Sequence, residues 1–305
     1  MAGWLHPWQE RFYRLAASGW LPGAWFEPHV PHVAELPGRT GRLRIEIVSH
    51  CWKYAHLQAY QLSSLVLYPP SNCDLQLTVF YSPEDHATAD LLAFFASQAP
   101  ANVTWKWWPL EKQRLFRRAI GRNLAALATT ADWIWFTDCD QLFHAGCLDA
   151  LQAELQGRHD LLCYPTTVNC SRLLEDDDRL LTSSNQPAIV EIDSAQFEPQ
   201  VHPRAIGALQ ILHGDVARRV GYCNAIRFYQ QPVERWHKCY EDRALRWLLG
   251  TPGTPLNVPG LYRIEHLRKG RYATAGGQPD QLRQLAAKLA PRAIHKLGSQ
   301  RRDAA

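Results

Sequence analysis

The chain has 305 residues, 46% of them hydrophobic and 20% charged, with a formal net charge of +4. This is ordinary globular composition, enough for one large α/β domain with terminal additions and for a core that needs no staples. The charge is too mild to require nucleic acid, and no uncharged apolar run reaches the ~18 residues of a membrane span.

Residues 1–40 are aromatic and punctuated by Pro and Gly, which predicts a short helix or two and an arm crossing the main domain. A strand–helix alternation then begins. The spacing of apolar residues predicts strands over 43–49, 75–81, 103–108 and 133–137, with helices over 53–67, 86–97 and 111–129 between them. Such alternation implies a mainly parallel sheet covered by helices, with ligands at the C-terminal strand ends. A helix over 146–156 and a strand over 161–165 extend the sheet. Residues 171–205 are polar and loop-rich, a candidate acceptor-side or lid segment. Helices over 214–221 and 239–250 and a strand over 261–265 complete a domain spanning 41–270. Residues 271–305 form a basic tail: from Arg268 onward there are nine Lys/Arg against two Asp. Within it, 281–297 carries Leu282, Leu285, Leu289 and Ile294 at helical spacing; it either packs on its own domain or lies on an anionic membrane surface.

The eight cysteines are scattered without a C-x-x-C pair, which argues against a structural zinc site. Charges interrupt the first residues where a secretion signal needs an apolar stretch. Together these features predict a reducing cytoplasm, with or without attachment at the membrane surface. The 12 tryptophans are read mainly as core and helix–sheet packing, a minority as rings for sugar faces.

The residues that carry chemistry centre on WIWFTDCDQLF. Asp138 and Asp140 directly follow an apolar strand, and alternate residues at a strand end share a side. Two adjacent carboxylates repel, and a divalent cation relieves the repulsion. Mg²⁺ and Mn²⁺ choose oxygen ligands and bridge carboxylates to substrate phosphates. The competing reading is a solvated turn with Asx hydrogen bonds.

Five segments in order, AIGRNLAALATTADWIWFTDCD, the D-x-D itself, GALQILHGDVARRVGYCN, WHKCYEDRALRWLLG and LYRIEHLRKGRY, resemble glycosyltransferase family 2, an inverting family with the GT-A fold. The resemblance covers roughly residues 43–270. It implies a metal-dependent transfer of sugar from a nucleoside-diphosphate sugar, with a UDP-sugar favoured, to a carbohydrate or other hydroxyl-bearing acceptor. It implies that Arg122 and Asn123 help hold the nucleotide, and that Asp138 reaches the ribose or the metal. Asp140 and His266 would bind Mn²⁺ or Mg²⁺. Asp242 would be the base that takes the acceptor proton, with Glu241 positioning it. Trp236 and Tyr240 could stack on an acceptor sugar. Arg268, Lys269 and Arg271 would neutralise the leaving diphosphate. Asp85, or Glu84, would meet the nucleobase, and Ser49 and His50 would line the nucleotide pocket. Here the chain departs from the family, since VSHCWKY replaces its usual turn. Residue by residue, blander roles compete: Glu241 and Asp242 suit a first helical turn, and Gly214 and Gly221 suit helix ends. Three alternatives stand beside the inverting reading: a retaining GT-A enzyme, a nucleotidyltransferase, which lacks its Gly-rich loop here, and a non-catalytic carbohydrate-binding protein with a decayed site.

Overall fold

A computed structural model describes residues 6–175, 177–182, 187–235 and 240–266. Its strands are β1 (Arg44–Cys51), β2 (Asp74–Tyr81), β3 (Val103–Pro109), β4 (Trp133–Phe136), β5 (Gln141–Phe143), β6 (Leu162–Pro165), β7 (Thr167–Ser171), β8 (Phe197–Val201), β9 (Gln210–His213), β10 (Thr254–Leu256) and β11 (Leu261–Arg263). Its helices are α1 (His6–Leu15), α2 (Ala55–Leu67), α3 (His86–Ala96), α4 (Lys112–Phe116), α5 (Arg118–Ala128), α6 (Cys147–Leu155), α7 (Gly214–Val220) and α8 (Glu241–Leu248).

Seven strands form the main sheet in the order β10-β6-β9-β4-β1-β2-β3. All neighbours run parallel except β9, which is antiparallel to both β4 and β6. The expected mixed, mainly parallel sheet is therefore present. β1 and β4 lie at its centre, and their side chains are buried on both faces, so they read as apolar runs rather than alternations. The one acidic side chain within β1, Glu46, is buried and accepts a 2.6 Å hydrogen bond from Thr78 Oγ1. Strand order reverses between β1 and β4, because β2 and β3 build outward on one side and β4 returns to the other. The crevice past those two strand ends is the topological switch point of such a sheet.

The remaining four strands form a second sheet, β5-β11-β7-β8. It includes β8 and the end of β7, inside the stretch expected to be loop-rich. α2 lies between the two sheets and serves two cores: Ala59, Leu62 and Leu65 join the main one, while Leu57 and Tyr60 join the smaller one with Leu142, Leu174, Phe197 and Ile264. Double duty explains why α2 is buried nearly all round, its glutamines and serines included.

The helix expected over 111–129 is two. Arg117 leaves helical geometry at φ −95°, ψ 85° and separates α4 from α5. Its guanidinium is buried, donates to Gln231 O at 3.2 Å and lies 4.6 Å over the Phe228 ring. The break redirects α5 so that its first turns face the switch-point crevice. The N-terminal arm, α1 and the short turns after it, lies on α8. Arg243 Nε donates to Ala17 O at 3.0 Å and Trp247 Nε1 to Leu21 O at 2.6 Å. Gly23 allows this contact, since a Cβ there would meet Trp247 O at 2.0 Å.

Candidate active site

The D-x-D segment is reached by a turn rather than by strand alternation. β4 stops at Phe136, Thr137 N still bonds Val48 O at 2.9 Å, and Gln141 N then folds back on Asp138 O at 3.2 Å. The turn sends the two carboxylates to different partners. Asp138 Oδ1 accepts from Arg118 Nη1 at 2.6 Å and from Arg122 Nη2 at 3.3 Å. Asp140 turns toward the second sheet, where its Oδ2 lies 3.7 Å from His266 Nε2. The other oxygen, Asp140 Oδ1, is buried and has no hydrogen-bond partner among the described residues. A buried carboxylate oxygen left unpaired costs free energy unless something binds it.

Buried amides pin the turn from below. Ser49 Oγ donates to Gln58 Oε1 at 3.4 Å, Gln58 Nε2 to Gln61 Oε1 at 2.9 Å, and Gln61 Nε2 to Asp138 O at 3.0 Å and Gln141 O at 2.9 Å. Ser49 is fully buried and heads this relay, so its place is under the site and not against a nucleotide.

Arg118 and Arg122 sit one turn apart on α5. Arg118 spans the crevice: beyond Asp138, its Nε lies 3.6 Å from Glu241 Oε1 at the start of α8. Arg122 is wholly buried. Its Nη1 donates to the Tyr222 hydroxyl at 2.8 Å, which donates to Gln210 Oε1 at 2.7 Å, and Gln210 Nε2 donates to Asp242 O at 3.1 Å. Two chains of contacts thus run from Asp138 to the opening turn of α8. Asn123 braces the same region, accepting from Tyr222 N at 2.9 Å and donating to Asn224 Oδ1 at 3.0 Å. Arg122 Nη1 and Nη2 and the Asn123 amide are bonded within the protein, which makes both positioning residues here, while the buried Arg122 Nε has no hydrogen-bond partner among the described residues.

Asp242 keeps a partly open carboxylate, its side chain 26% exposed, with Arg246 Nη1 3.3 Å from Oδ2. Gly207 faces it: a Cβ there would come to 3.5 Å from Asp242 Cβ. The preceding Tyr240 takes a left-handed conformation at φ 56°, so α8 begins abruptly and both acidic residues occupy its first turn.

His50 stacks on Phe80 at 5.0 Å, and neither ring nitrogen finds a hydrogen-bond partner among the described residues. Burial, and then the charges of Arg122 and Arg118, hold its imidazole well below the usual pKa, so the ring is neutral. Asp85 caps α3, accepting from Thr88 N and Thr88 Oγ1 at 3.4 and 2.7 Å, and also accepts from Lys53 N at 2.5 Å. Glu84 pairs with Lys112 at 3.1 Å on the surface. Trp236, Arg268, Lys269 and Arg271 lie outside the described residues.

The described residues contain no group of three or more His, Cys, Asp or Glu side chains arranged to hold a metal ion. The pair Asp140–His266 nevertheless fits part of such a site. One hard oxygen and one imidazole suit Mn²⁺ or Mg²⁺ when substrate phosphates and water supply the rest, and the unpaired Asp140 Oδ1 is the atom such an ion would satisfy.

Sequence reasoning missed Arg118, Gln61, Gln210 and Tyr222. A signal existed for two of them. Gln58, Gln61 and Ser64 recur at one-turn spacing in the otherwise apolar α2, and Arg118 stands four residues before Arg122, on the same helical face.

No protein-family profile matches the chain, and no curated protein matches it in sequence. Solved structures do. S. aureus TarS 1–349 in complex with UDP-GlcNAc matches with a TM-score of 0.50 and 10% identity, over 80% of this chain and 64% of that one. This chain therefore spans somewhat under two thirds of that structure. The UDP complex of the same protein matches with a TM-score of 0.48 and 10% identity, over 73% and 60%. The mannosyltransferase PcManGT from Pyrobaculum calidifontis, in complex with GDP-Man and Mn²⁺, gives 0.43 and 15%, over 88% and 67%. At such identities the likeness is one of fold, and the first of these matches carries it. With its parallel core, its reversed β9 and its switch-point crevice, the chain has a GT-A type fold.

Proposed function

We propose that this protein is an inverting, metal-dependent glycosyltransferase that moves a sugar from a nucleoside-diphosphate sugar to an acceptor hydroxyl. The observation that carries this reading is the shared frame of Asp138 and α8. Arg118 links Asp138 directly to Glu241, and Arg122, Tyr222 and Gln210 link it to the backbone of Asp242. A donor-side acid and an acceptor-side acid held in one rigid frame suit a single displacement between two bound substrates. The UDP-GlcNAc held by TarS on the same fold supports a UDP-sugar as donor.

In this reading Asp242 takes the proton of the acceptor hydroxyl as it attacks the anomeric carbon. The open face left by Gly207 admits the acceptor, and Arg246 steadies the carboxylate from the other side. Arg118 orients Asp138 and Glu241. Asp140 and His266 would hold Mn²⁺ or Mg²⁺, which when bound stabilises charge on the departing diphosphate. Arg268 and Lys269 are proposed to share that task.

The test has two steps. A thermal-shift screen of nucleoside diphosphates with and without Mn²⁺ identifies the donor, and Asp140→Ala abolishes the metal-dependent part of the stabilisation. Asp242→Asn then keeps donor stabilisation and lowers transfer by roughly 10²–10⁴-fold. Near-normal transfer by that variant rules Asp242 out as the base. Retention of the donor's anomeric configuration in the product rules out inversion.

A further inference from the structure

The three largely exposed tryptophans among the described residues all fall in the N-terminal arm: Trp8 at 70%, Trp20 at 77% and Trp25 at 71%. α1 is two-faced. Tyr13 and Ala16 turn inward, with Tyr13 against Phe26, Phe228 and Tyr229 at ring distances of 6.2–6.4 Å. Trp8, Phe12 and Leu15 recur at one- and two-turn spacing on the outer face, and all three are exposed. Phe12 comes within 6.3 Å of Phe26, which places the outer stripe beside the turn that carries Trp25.

The exposed charges on that helix have one sign. Arg11 and Arg14 are exposed, whereas its one acidic residue, Glu10, is half-buried. Arg11 lies 5.8 Å over the Trp8 ring, and Arg14 lies 4.5 Å over the Tyr240 ring. Exposed Trp, Phe and Leu with arginines alongside is the composition of a helix that lies in a membrane interface. There indole rings settle at headgroup depth and guanidinium groups meet lipid phosphates. The exposed rings supply apolar anchorage and the arginines attraction to anionic headgroups, the two terms on which interfacial binding rests.

We infer that the arm is a docking surface for an anionic lipid bilayer, with Trp8, Phe12, Leu15, Trp20 and Trp25 entering the interface and Arg11 and Arg14 contacting headgroups. The arm is fastened to α8 through Ala17 and Leu21, so docking sets the bilayer beside the helix that opens with Glu241 and Asp242. Joined to the transfer reading, and resting on it, this placement assigns the acceptor to a membrane surface.

The test is flotation of the full-length chain with vesicles of phosphatidylcholine alone or mixed with phosphatidylglycerol. Wild-type protein floats with the mixed vesicles, and its tryptophan emission shifts to the blue. Trp8→Ser/Trp20→Ser/Trp25→Ser reduces bound protein by roughly tenfold or more while melting at the wild-type temperature, since exposed rings hold no core. Arg11→Gln/Arg14→Gln removes the preference for phosphatidylglycerol. The inference is overturned if wild type does not float, or if the triple-serine variant floats equally well, which would assign binding to the basic tail. It is also overturned if wild type is a dimer that the triple-serine variant converts to monomer, because a second copy would then cover the face. Vesicle binding needs no nucleotide, so its failure leaves the transfer reading standing, and a failed nucleotide screen leaves the docking surface standing.

Discussion

Tyr222→Phe removes a single oxygen from the centre of the frame and keeps the ring, its edge contact with Phe136 at 4.8 Å and the guanidinium of Arg122 over its face. Two buried groups then lose their partner. Arg122 Nη1 loses its 2.8 Å acceptor, and Gln210 Oε1 loses its 2.7 Å donor. Each buried group left unsatisfied costs about 1–3 kcal/mol, with charged donors at the upper end. Rotation of the Gln210 amide recovers part, which leaves a net cost of about 2–4 kcal/mol. For a chain of this size that is a fall of about 3–7 °C in melting temperature. Thermal unfolding followed by circular dichroism measures it. The cycle with Arg122→Met isolates the pair: the double variant is less destabilised than the sum of the singles by about 1–2 kcal/mol, because removing both partners leaves fewer orphans. A shift below about 1 °C for Tyr222→Phe, or strict additivity in the cycle, would refute the buried relay.

Three further outcomes follow from the same geometry. Gly121→Ala places a Cβ 2.2 Å from His50 Nε2 and 3.0 Å from Phe80 Cγ, and the overpacking costs about 1–3 kcal/mol against a helix-propensity gain of about 1 kcal/mol. Urea unfolding of Gly121→Ala and Gly121→Ala/His50→Ala checks this, and failure of the second change to relieve the first would contradict the contact. Arg118→Met withdraws a partly exposed guanidinium from Glu241 and Asp138 and lowers stability by about 1–3 kcal/mol; a loss under about 0.5 kcal/mol in the same assay would mean that water already screens the bridge. Burial lowers the pKa of His50, His56, His202 and His213, so the unfolded chain binds protons at these positions first. Their contribution is complete above the unfolded value near 6.5 and is lost as pH falls below it. Melting temperature therefore drops between about pH 7 and pH 5, and His50→Asn, which cannot titrate, makes that drop shallower.

Legibility tracked how local each determinant was. The strands and helices from Arg44 to Phe136 were readable because apolar spacing and chain punctuation are local signals, and the D-x-D stood out because two acids follow WIWF. The break at Arg117 was not readable, since its cause is Phe228 and Gln231, far along the chain. The second sheet was legible only in β11, inside the strand expected over 261–265: β5 is three residues long and exists through its partner, and β8 lies in a stretch whose polar composition reads as loop. At the site, residue types identified Asp140, His266 and Asp242 as candidates, but burial reassigned others. Arg122, Asn123 and Ser49 resemble ligand contacts by type, and only the three-dimensional structure reveals that Arg122 Nη1, the Asn123 amide and the Ser49 hydroxyl bond within the protein.

The pairing of β5 with β11 has a consequence for the order of events during synthesis. β5 starts directly after Asp140 and β11 ends shortly before His266. Their antiparallel register, together with the 2.9 Å bond from Ile264 N to Asp140 O, brings those two side chains together. The parallel half, β1 to β4 with its helices, is complete long before that point, and domains assemble from the N-terminal side as they emerge from the ribosome. A nascent chain can thus hold the parallel half of its sheet while Asp140 still lacks its imidazole partner. The Asp140–His266 pair therefore depends on a contact between segments 126 positions apart, and forms only once β11 has emerged and found β5.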